Sequence, residues 1–272
     1  MIYDCFMFFN ELELLEIRLN ELDDTVDKFV IVEATRMHSN KSKPLYFQEN
    51  KHLYKNFSEK IIHIIVDGYP DYEDAWTYEN HQRNQIKRAL GDCNPDDVII
   101  ISDADEIPRP QAILEANKVP GIKVLEQTLF YYYLNMISVK KPSWLGGTRV
   151  LNAKDFIKTA SEIRYTDGTV IPNGGWHFSY LGGCEKIKGK IEAFAHQEYN
   201  KPHYKDIHRL KKAIEKGKDL YGRRKMKYRP IPLDASFPKY IMKNKDRFQP
   251  LIKELDPITR FQKLRRVFFG CK

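Results

Sequence analysis

Residues 96–108 read DDVIIISDADEIP, and this stretch decides the fold class of the chain. The apolar run Val98–Ile101 is continuous rather than alternating, which is typical of a strand buried on both faces of a sheet. It leads directly into residues 102–106 (SDADE), and Pro108 and Pro110 close the segment. The sequence therefore predicts a buried strand whose carboxyl end carries three acidic side chains.

Three earlier segments, residues 2–9, 26–32 and 61–66, are also apolar and rich in β-branched or aromatic residues. We predict a strand at each of them, because such composition favours extended structure. Helices are expected between these strands and the acidic strand. The resulting β-α-β-α-β order predicts an α/β fold with a parallel sheet and right-handed crossovers.

Two helices are predicted in this half of the chain. The first follows the first strand, with Asn10 as its N-cap and Glu13 completing a capping box. Leucines at 12, 15, 19 and 22 form its apolar stripe. The second helix is expected over residues 73–90, immediately before the acidic strand.

Polar residues fall just after the predicted strands, at Asn10, Glu33, Asp67 and Asp103. In open α/β sheets, ligands bind outside the carboxyl ends of the strands. The sequence thus places its polar residues where a binding site is expected.

The acidic cluster favours a metal site. Asp103 and Asp105 stand two residues apart after a buried strand, and carboxylate oxygens of this kind suit Mg²⁺ or Mn²⁺ bound together with phosphate oxygens. Glu106 could position a water ligand or a sugar hydroxyl instead. The alternative is that these acids cap the next turn or stay solvated. Crowding three acids within four positions is unfavourable without a cation, which favours the metal interpretation.

The composition narrows the class of protein. The chain has 272 residues, a formal net charge of +8 and 42% hydrophobic residues, which suits a globular α/β domain with a small extension and excludes a disordered chain. The positive charge favours anionic partners such as phosphates, nucleic acid or an anionic membrane surface. We expect a main domain over residues 1–200, divided into the halves 1–115 and 116–200. A basic helical extension over residues 201–272 is expected to pack on it.

Sequence features also bear on location. No cysteine pair has metal-ligand spacing, so we predict free thiols in a reducing compartment, with one disulfide as the alternative. The apolar start lacks the charge pattern of a signal peptide, and no apolar run approaches the roughly 18 residues of a membrane span. We therefore predict a cytoplasmic protein. Residues 260–269 (RFQKLRRVFF) are basic and apolar together, which favours either peripheral contact with an anionic membrane or a packed terminal helix.

Five ordered blocks of the chain resemble glycosyltransferase family 17. They are FFNELELLEIRLNEL (8–22), VDKFVIVEA (26–34), ENHQRNQI (79–86), DDVIIISDADEIP (96–108) and GGWHFSYLGG (174–183). The resemblance spans roughly residues 3–250. It implies a GT-A-like, Rossmann-type mixed sheet flanked by helices, with a helical C-terminal extension. It also implies a divalent metal, UDP-N-acetylglucosamine as donor, inversion at the anomeric carbon and a glycan as acceptor, with residues 1–115 as the nucleotide-sugar-binding half and 116–200 as the acceptor-side half of a catalytic domain. Membrane contact of the basic C-terminal segment would make a lipid-linked saccharide the alternative acceptor.

Within this resemblance, several residues are candidates for donor binding. Glu33 and Arg36 are expected near the uridine, and Arg83 near the diphosphate or the acidic cluster. Trp176 is expected to stack on a sugar, and Lys186, one of three lysines opening a predicted helix with Lys188 and Lys190, to meet the diphosphate. Asn10 joins them by its place after the first strand. The structural alternatives are an exposed loop acid, a salt bridge, core packing and solvated lysines.

His177 is expected to act as a third metal ligand beside Asp103 and Asp105. The alternative is that its imidazole is simply packed among aromatic residues.

The general base is the least determined part of the predicted site. Inverting transfer needs a carboxylate or imidazole within hydrogen-bond reach of the acceptor hydroxyl. Glu192 and Glu198 are our candidates, with His196 on the same helical face as Glu192. Asp167 and Glu126 are the rivals. Asp105 is expected to contribute to catalysis through the metal.

Two other functions compete with glycosyl transfer. A sugar-phosphate nucleotidylyltransferase would use the same sheet and metal, but it usually has a glycine-rich loop after the first strand, where this chain has residues 10–13 (NELE). A basic nucleic-acid or anion-binding module would explain the charge. It would need basic and aromatic residues interleaved on one surface, whereas the basic residues concentrate late in the chain. We therefore expect no nucleic-acid partner.

Overall fold

A mixed sheet forms the centre of the protein in the computed structural model, which describes residues 1–69 and 74–255. The strands are β1 (Ile2–Phe8), β2 (Lys28–Ala34), β3 (Ile61–Val66), β4 (Val98–Asp103), β5 (Glu106–Pro108), β6 (Lys123–Tyr131), β7 (Met136–Ser138), β8 (Ser143–Trp144), β9 (Arg149–Asn152), β10 (Thr169–Ser179) and β11 (Tyr228–Pro230). The helices are α1 (Leu12–Leu22), α2 (Tyr46–Asn50), α3 (Ala75–Asn84), α4 (Pro110–Ala116), α5 (Ala160–Arg164), α6 (Gly183–Ala193), α7 (Ile207–Glu215), α8 (Lys239–Lys243) and α9 (Lys245–Phe248).

The N-terminal half of the sheet is parallel, as predicted. β1 lies between β2 and β4, and β3 pairs with β2 on the outer side. β4 is buried on both faces because its side chains alternate between two cores. Ile100 belongs to the core that contains Phe6 and Leu15, whereas Ile99 and Ile101 belong to the core on the other side. The predicted buried strand at Val98–Ile101 is confirmed, and Asp103 ends it.

The C-terminal half of the sheet reverses direction. β9 is antiparallel to β4 and inserts between it and β6. β10 runs parallel to β6 and antiparallel to β5, with an irregularity between Ile171 and Gly175. This arrangement confirms the predicted α/β GT-A-like mixed sheet, and it brings β10 beside the acidic segment that ends β4.

The start of α1 differs from the prediction. Its N-cap is Glu11 rather than Asn10, and no side chain caps the helix. The Glu11 carboxylate instead accepts the backbone N–H groups of Phe9 and Asn10, both at 3.1 Å. The predicted capping box is therefore wrong, because Glu11 turns back towards the strand end. The predicted leucine stripe is confirmed, since the leucines at 15, 19 and 22 are buried.

The described part of the C-terminal extension contains the helices α7, α8 and α9, as predicted, but it also adds an edge strand to the sheet. β11 pairs antiparallel with β7, and α8 docks on α1, where the Tyr240 N–H donates to Glu21 at 2.9 Å. The division at residue 200 stays a prediction. The basic segment 260–269 lies outside the described residues. Among the helices that are described, none is long and apolar enough to cross a membrane.

The described cysteines are free thiols. Cys5 is buried, and Cys93 and Cys184 are partly exposed. Cys271 lies outside the described residues.

Candidate active site

A cavity of about 600 Å³ opens at the carboxyl ends of β1 and β4. Its walls come from separate parts of the chain, with Phe8 on β1, Asp103 on β4, His177 on β10, Arg164 on α5 and Lys190 on α6. The position agrees with the rule that parallel sheets bind ligands beyond the carboxyl ends of their strands.

Asp103 ends β4 with one arginine on each carboxylate oxygen. Arg83 Nη1 lies 2.8 Å from Oδ1, and Arg164 Nη2 lies 2.6 Å from Oδ2. Burial raises the pKa of Asp103, but Arg164 and Arg83 outweigh it and lower that pKa to about 2. Asp103 is therefore a fixed anion with little basicity.

Asp105 faces the cavity two residues later and carries a different pair of partners. Lys190 Nζ lies 2.6 Å from Oδ2, and His177 Nε2 lies 3.6 Å from Oδ1. Burial raises the pKa of Asp105, but Lys190 and His177 outweigh it, so the pKa falls well below the ordinary range. In return, Asp105 raises the pKa of Lys190 against the opposing effect of burial. The pair is thus fully ionised.

The Glu106 carboxylate accepts hydrogen bonds that hold residues 103–106 in place. Arg164 donates to both of its oxygens, at 2.8 and 2.9 Å. Trp144 Nε1 donates to Oε1 at 2.9 Å, and the Asp103 N–H donates to Oε2 at 3.1 Å. Beneath it, the buried Arg18 donates to the backbone carbonyls of Asp103 and Glu106. These bonds fix the turn that presents Asp103 and Asp105.

The structure brings several predicted site residues together. Arg83 contacts Asp103, and His177 lies beside Asp105, as expected from the sequence. Arg36 lines the cavity as well. Among the three lysines considered at α6, Lys190 reaches the acidic cluster.

Glu33 lies apart from this group. Its fully buried carboxylate accepts the N–H groups of Phe47 and Gln48 at 2.8 and 3.3 Å, at the start of α2. His63 Nε2 lies 3.1 Å from it. Glu33 does not line the cavity, so its predicted role in donor binding stays a prediction.

Three further candidates also lie outside the cavity lining. Trp176 is 2% exposed and donates its indole N–H to the Ser236 carbonyl at 2.9 Å, which is a packing role. Lys186 pairs with Glu13 at 2.6 Å. Asn10 and Lys186 line a second cavity of about 30 Å³, which is too small for a nucleotide.

The predicted general bases differ in their settings. Glu192 pairs with Lys205 at 3.0 Å and does not line the cavity. Glu198 lies 2.7 Å from Nδ1 of His196, and the imidazole of His196 does line it.

Arg164 lines the cavity but is not among the site residues predicted from the sequence. It bridges Asp103 and Glu106 from α5, about sixty positions away along the chain. Thr159 and Glu162 form a capping box at the start of α5, so the helix was readable from the sequence. The contacts of Arg164 with Asp103 and Glu106 cannot be predicted from the sequence, because they depend on how β9 turns the chain back towards β4.

The residues around Asp105 suit a hard cation whose remaining ligands would be oxygen atoms of the substrate. No group of three potential ligands is preassembled within the described part of the chain. Mg²⁺, however, commonly binds one or two protein carboxylates together with water and phosphate oxygens. His177 Nδ1 is buried without a hydrogen-bond partner in the described structure, while Nε2 faces Asp105. Asp105 and His177, with Asp103 beside them, could therefore hold a divalent cation.

An aromatic wall forms another side of the cavity. Tyr131 and Tyr228 stack with ring centroids 4.3 Å apart, and the rings of Tyr199 and Tyr221 lie 4.0 Å apart. Tyr180 links this wall to the charged site, because Lys190 Nζ lies 5.4 Å from its ring centroid.

Comparison with known proteins places the chain in a family. The sequence model of glycosyltransferase family 17 matches residues 1–253. This chain is 24% identical to the β-1,4-mannosyl-glycoprotein 4-β-N-acetylglucosaminyltransferases of Homo sapiens and Mus musculus. The alignments cover 89% and 90% of this chain, respectively, and 53% of each relative. The chain thus spans about half the length of these curated relatives.

Solved structures are only distantly similar. HddC from Yersinia pseudotuberculosis aligns with a TM-score of 0.37 and 11% identity, over 66% of this chain and 90% of its own. The glucosyl-3-phosphoglycerate synthase of M. tuberculosis aligns with a TM-score of 0.34 and 10% identity, over 89% and 92%. Values this low carry no argument about function. The family match, in contrast, covers nearly the whole chain, and the chain belongs to glycosyltransferase family 17.

Proposed function

We propose that this chain is an inverting, metal-dependent glycosyltransferase that moves N-acetylglucosamine from UDP-N-acetylglucosamine to a hydroxyl group of a glycan. The observation that carries the proposal is the placing of Asp103 and Asp105 at the carboxyl end of β4, in the wall of a cavity large enough for a nucleotide-sugar. Family membership supports the reaction class. The curated relatives, whose names specify N-acetylglucosaminyl transfer, support the choice of sugar.

The charges that line the cavity support a metal requirement. Equal numbers of formal cations and anions face it. The cations are Arg36, Lys43, Arg164, Lys190 and Arg223, and the anions are Glu11, Glu79, Asp103, Asp105 and Glu106. A nucleotide diphosphate would add about two negative charges that this balance does not offset. When bound near Asp105, a divalent cation would offset them and supply Lewis-acid stabilisation of the leaving diphosphate.

The protein's own residues would prepare the site for that charge. Arg83 and Arg164 hold Asp103 in one orientation, so its carboxylate needs no rearrangement when the donor binds. Lys190 is an ammonium group at the cavity wall, able to move from Asp105 towards a phosphate oxygen. Preorganised charges of this kind stabilise the transition state more than the same groups would in water.

The aromatic wall suits the acceptor. Sugars present flat faces of C–H groups as well as hydroxyl groups, and aromatic side chains bury such faces while leaving their own polar tips exposed. The tyrosines near Lys190 would therefore hold an acceptor glycan next to the anomeric carbon of the donor.

The proposal is tested by donor binding. Isothermal calorimetry would measure UDP-N-acetylglucosamine, UDP and GDP-mannose with and without Mn²⁺, on wild type, Asp105→Asn and Asp96→Asn. Asp96 is a matched control because it precedes the same strand at its other end, where its carboxylate is 84% exposed.

We expect manganese-dependent binding of both UDP compounds by wild type and Asp96→Asn, and its loss in Asp105→Asn. Absence of binding by wild type with metal present would overturn the proposal. Tighter binding of GDP-mannose would refute the assigned donor while keeping the reaction class.

A further inference from the structure

An imidazole–carboxylate pair stands at the wall of the cavity, beyond the end of α6. His196 lines the cavity, and its Nδ1 lies 2.7 Å from Oε1 of Glu198. The two side chains are 47% and 55% exposed, so an acceptor can reach the ring. A carboxylate only accepts hydrogen bonds. Nδ1 therefore carries a proton, and in the neutral ring Nε2 keeps the lone pair.

Aromatic side chains surround this imidazole. The rings of Trp76, Phe194 and Tyr199 lie 4.5, 5.5 and 5.9 Å from it, centroid to centroid. Nε2 makes no hydrogen bond within the described part of the chain. The ring is thus held by Glu198 on one side and by aromatic neighbours around it, with its basic nitrogen left over for a ligand.

The carboxylates that line the cavity are poor alternatives as a base. Asp103 and Asp105 have lowered pKa values and hold cations. Glu106 is bonded on both oxygens by Arg164. Glu79 pairs with Arg83 at 2.7 Å, and Glu11 accepts two backbone N–H groups through Oε2.

The other imidazoles at the cavity are also engaged. His38 is partly buried, its Nε2 lies 3.1 Å from Gln82 Oε1, and desolvation lowers its pKa. His177 stands beside Asp105, where it belongs to the proposed metal site. His196 thus combines an oriented tautomer with a basic nitrogen on an exposed ring.

We infer that His196 is the general base of the transfer and that Glu198 is the positioning residue that holds its tautomer, an assignment that rests on the proposed function. The acceptor hydroxyl oxygen forms a bond to the anomeric carbon while the bond from that carbon to the diphosphate oxygen breaks. The electron pair of the broken bond leaves with UDP, and the hydroxyl proton moves to Nε2. The resulting imidazolium is paired with the Glu198 carboxylate.

Replacing water by azide as the nucleophile distinguishes a loss of base catalysis from a loss of structure. Water must lose a proton as it attacks the donor, whereas azide is already an anion and needs no base. The test would measure UDP release from UDP-N-acetylglucosamine with Mn²⁺, in buffer alone and with added azide. The variants are His196→Ala and Glu198→Gln, with His208→Ala as the matched control, an exposed histidine on α7 that does not line the cavity.

We expect UDP release in buffer to fall about 10²- to 10⁴-fold in His196→Ala, the range that a general base contributes, and to fall less in Glu198→Gln. Azide should restore release in both variants and yield a glycosyl azide, while the donor Kd stays at the wild-type value. His208→Ala should match wild type throughout.

Two results would overturn the assignment. Unchanged UDP release by His196→Ala in buffer would show that another group takes the proton. A loss that azide does not restore would show that the ring supports the structure instead. Failure of the proposed function would look different, because wild type itself would then neither bind UDP-N-acetylglucosamine nor release UDP.

Discussion

At the scale of single residues, the site depends on how buried charges are matched. Asp105 and Glu106 are 5% and 1% exposed, and the side chain of Asp103 is 35% exposed. Such crowding would cost several kcal/mol for each unpaired ion. Arg83, Arg164 and Lys190 remove most of that cost by contacting the carboxylates directly. The same contacts lower the pKa values of Asp103 and Asp105, so these two carboxylates stay ionised near neutral pH.

Arg164 should be essential for stability as well as for the site. Arg164→Met leaves Glu106 buried with two neutral donors, the Trp144 indole N–H and the Asp103 backbone N–H, and leaves Asp103 with a single arginine. Removing one partner of a buried ion pair destabilises by about 3–5 kcal/mol, and we expect that loss in urea unfolding.

Arg247→Met is the control for Arg164→Met, because it removes an arginine whose side chain is 63% exposed beside Glu16. It should cost about 1 kcal/mol or less. Equal losses in the two variants would show that the network around Arg164 is not strongly coupled.

Asp103 should make stability depend on pH. Its folded pKa, about 2, lies below the ordinary value of about 3.9 for an unfolded aspartate. The ionised carboxylate therefore stabilises the fold fully above pH ~4, and this contribution disappears as the pH falls towards 2. The difference in unfolding free energy between wild type and Asp103→Asn should be constant from pH 7 to 5 and shrink below pH ~4. Chemical denaturation in metal-free buffer measures it, and a difference that stays constant down to pH 3 would contradict the cause assigned to the shift.

At the scale of elements, the sequence predicts some strands much better than others. Apolar runs identify β1, β2 and β4 because burial on both faces leaves a local signature. The outer strand β3 is only partly buried, and its β-branched composition identifies it instead. β9 has only four residues and no such signature, and its place between β4 and β6 depends on contacts made across the sheet. For the same reason Asp103, Asp105 and His177 could be predicted as neighbours from motif and position, whereas the pairing of Arg164 could not.

The pairing of β10 with β5 should tolerate no side chain at Gly175. This glycine has a φ of +144°, and a Cβ there would lie 2.2 Å from the Ile107 carbonyl oxygen. Strained backbone and overpacking each cost about 1–3 kcal/mol. We therefore expect Gly175→Ala to lower the unfolding free energy by at least about 2 kcal/mol. Donor affinity should fall with it, because β10 carries His177 to Asp105.

Gly189→Ala is the matched control for Gly175→Ala. Gly189 lies inside α6 with nothing within 4 Å of an added Cβ, and alanine favours the helix by up to about 1 kcal/mol. In thermal and urea unfolding, the unfolding free energy should therefore fall for Gly175→Ala and rise for Gly189→Ala. A stable Gly175→Ala would mean that β5 can move away from β10 at little cost.

At the scale of the whole molecule, the cavity joins segments that are far apart in sequence, from Met7 on β1 to Tyr228 on β11. The parallel half of the sheet supplies the acids, the reversed half supplies His177 and Tyr131, and the C-terminal extension supplies Tyr221 and Arg223. A ligand that fills this cavity contacts each of these parts at once. Ligand binding and global stability should therefore be linked.

The donor and metal together should stabilise the entire fold. A ligand at 100 times its Kd adds about 2.7 kcal/mol when it binds only the folded state, and for a chain of this size that corresponds to a rise in Tm of roughly 5–10 °C. We expect this rise for UDP-N-acetylglucosamine with Mn²⁺ in wild type and Asp96→Asn, measured by differential scanning calorimetry. Asp105→Asn should show little change at the same concentrations, because it lacks the carboxylate beside His177. An equal rise without Mn²⁺ would contradict the metal requirement. A rise in Asp105→Asn equal to that of wild type would instead show that the donor is held by the cationic and aromatic walls alone.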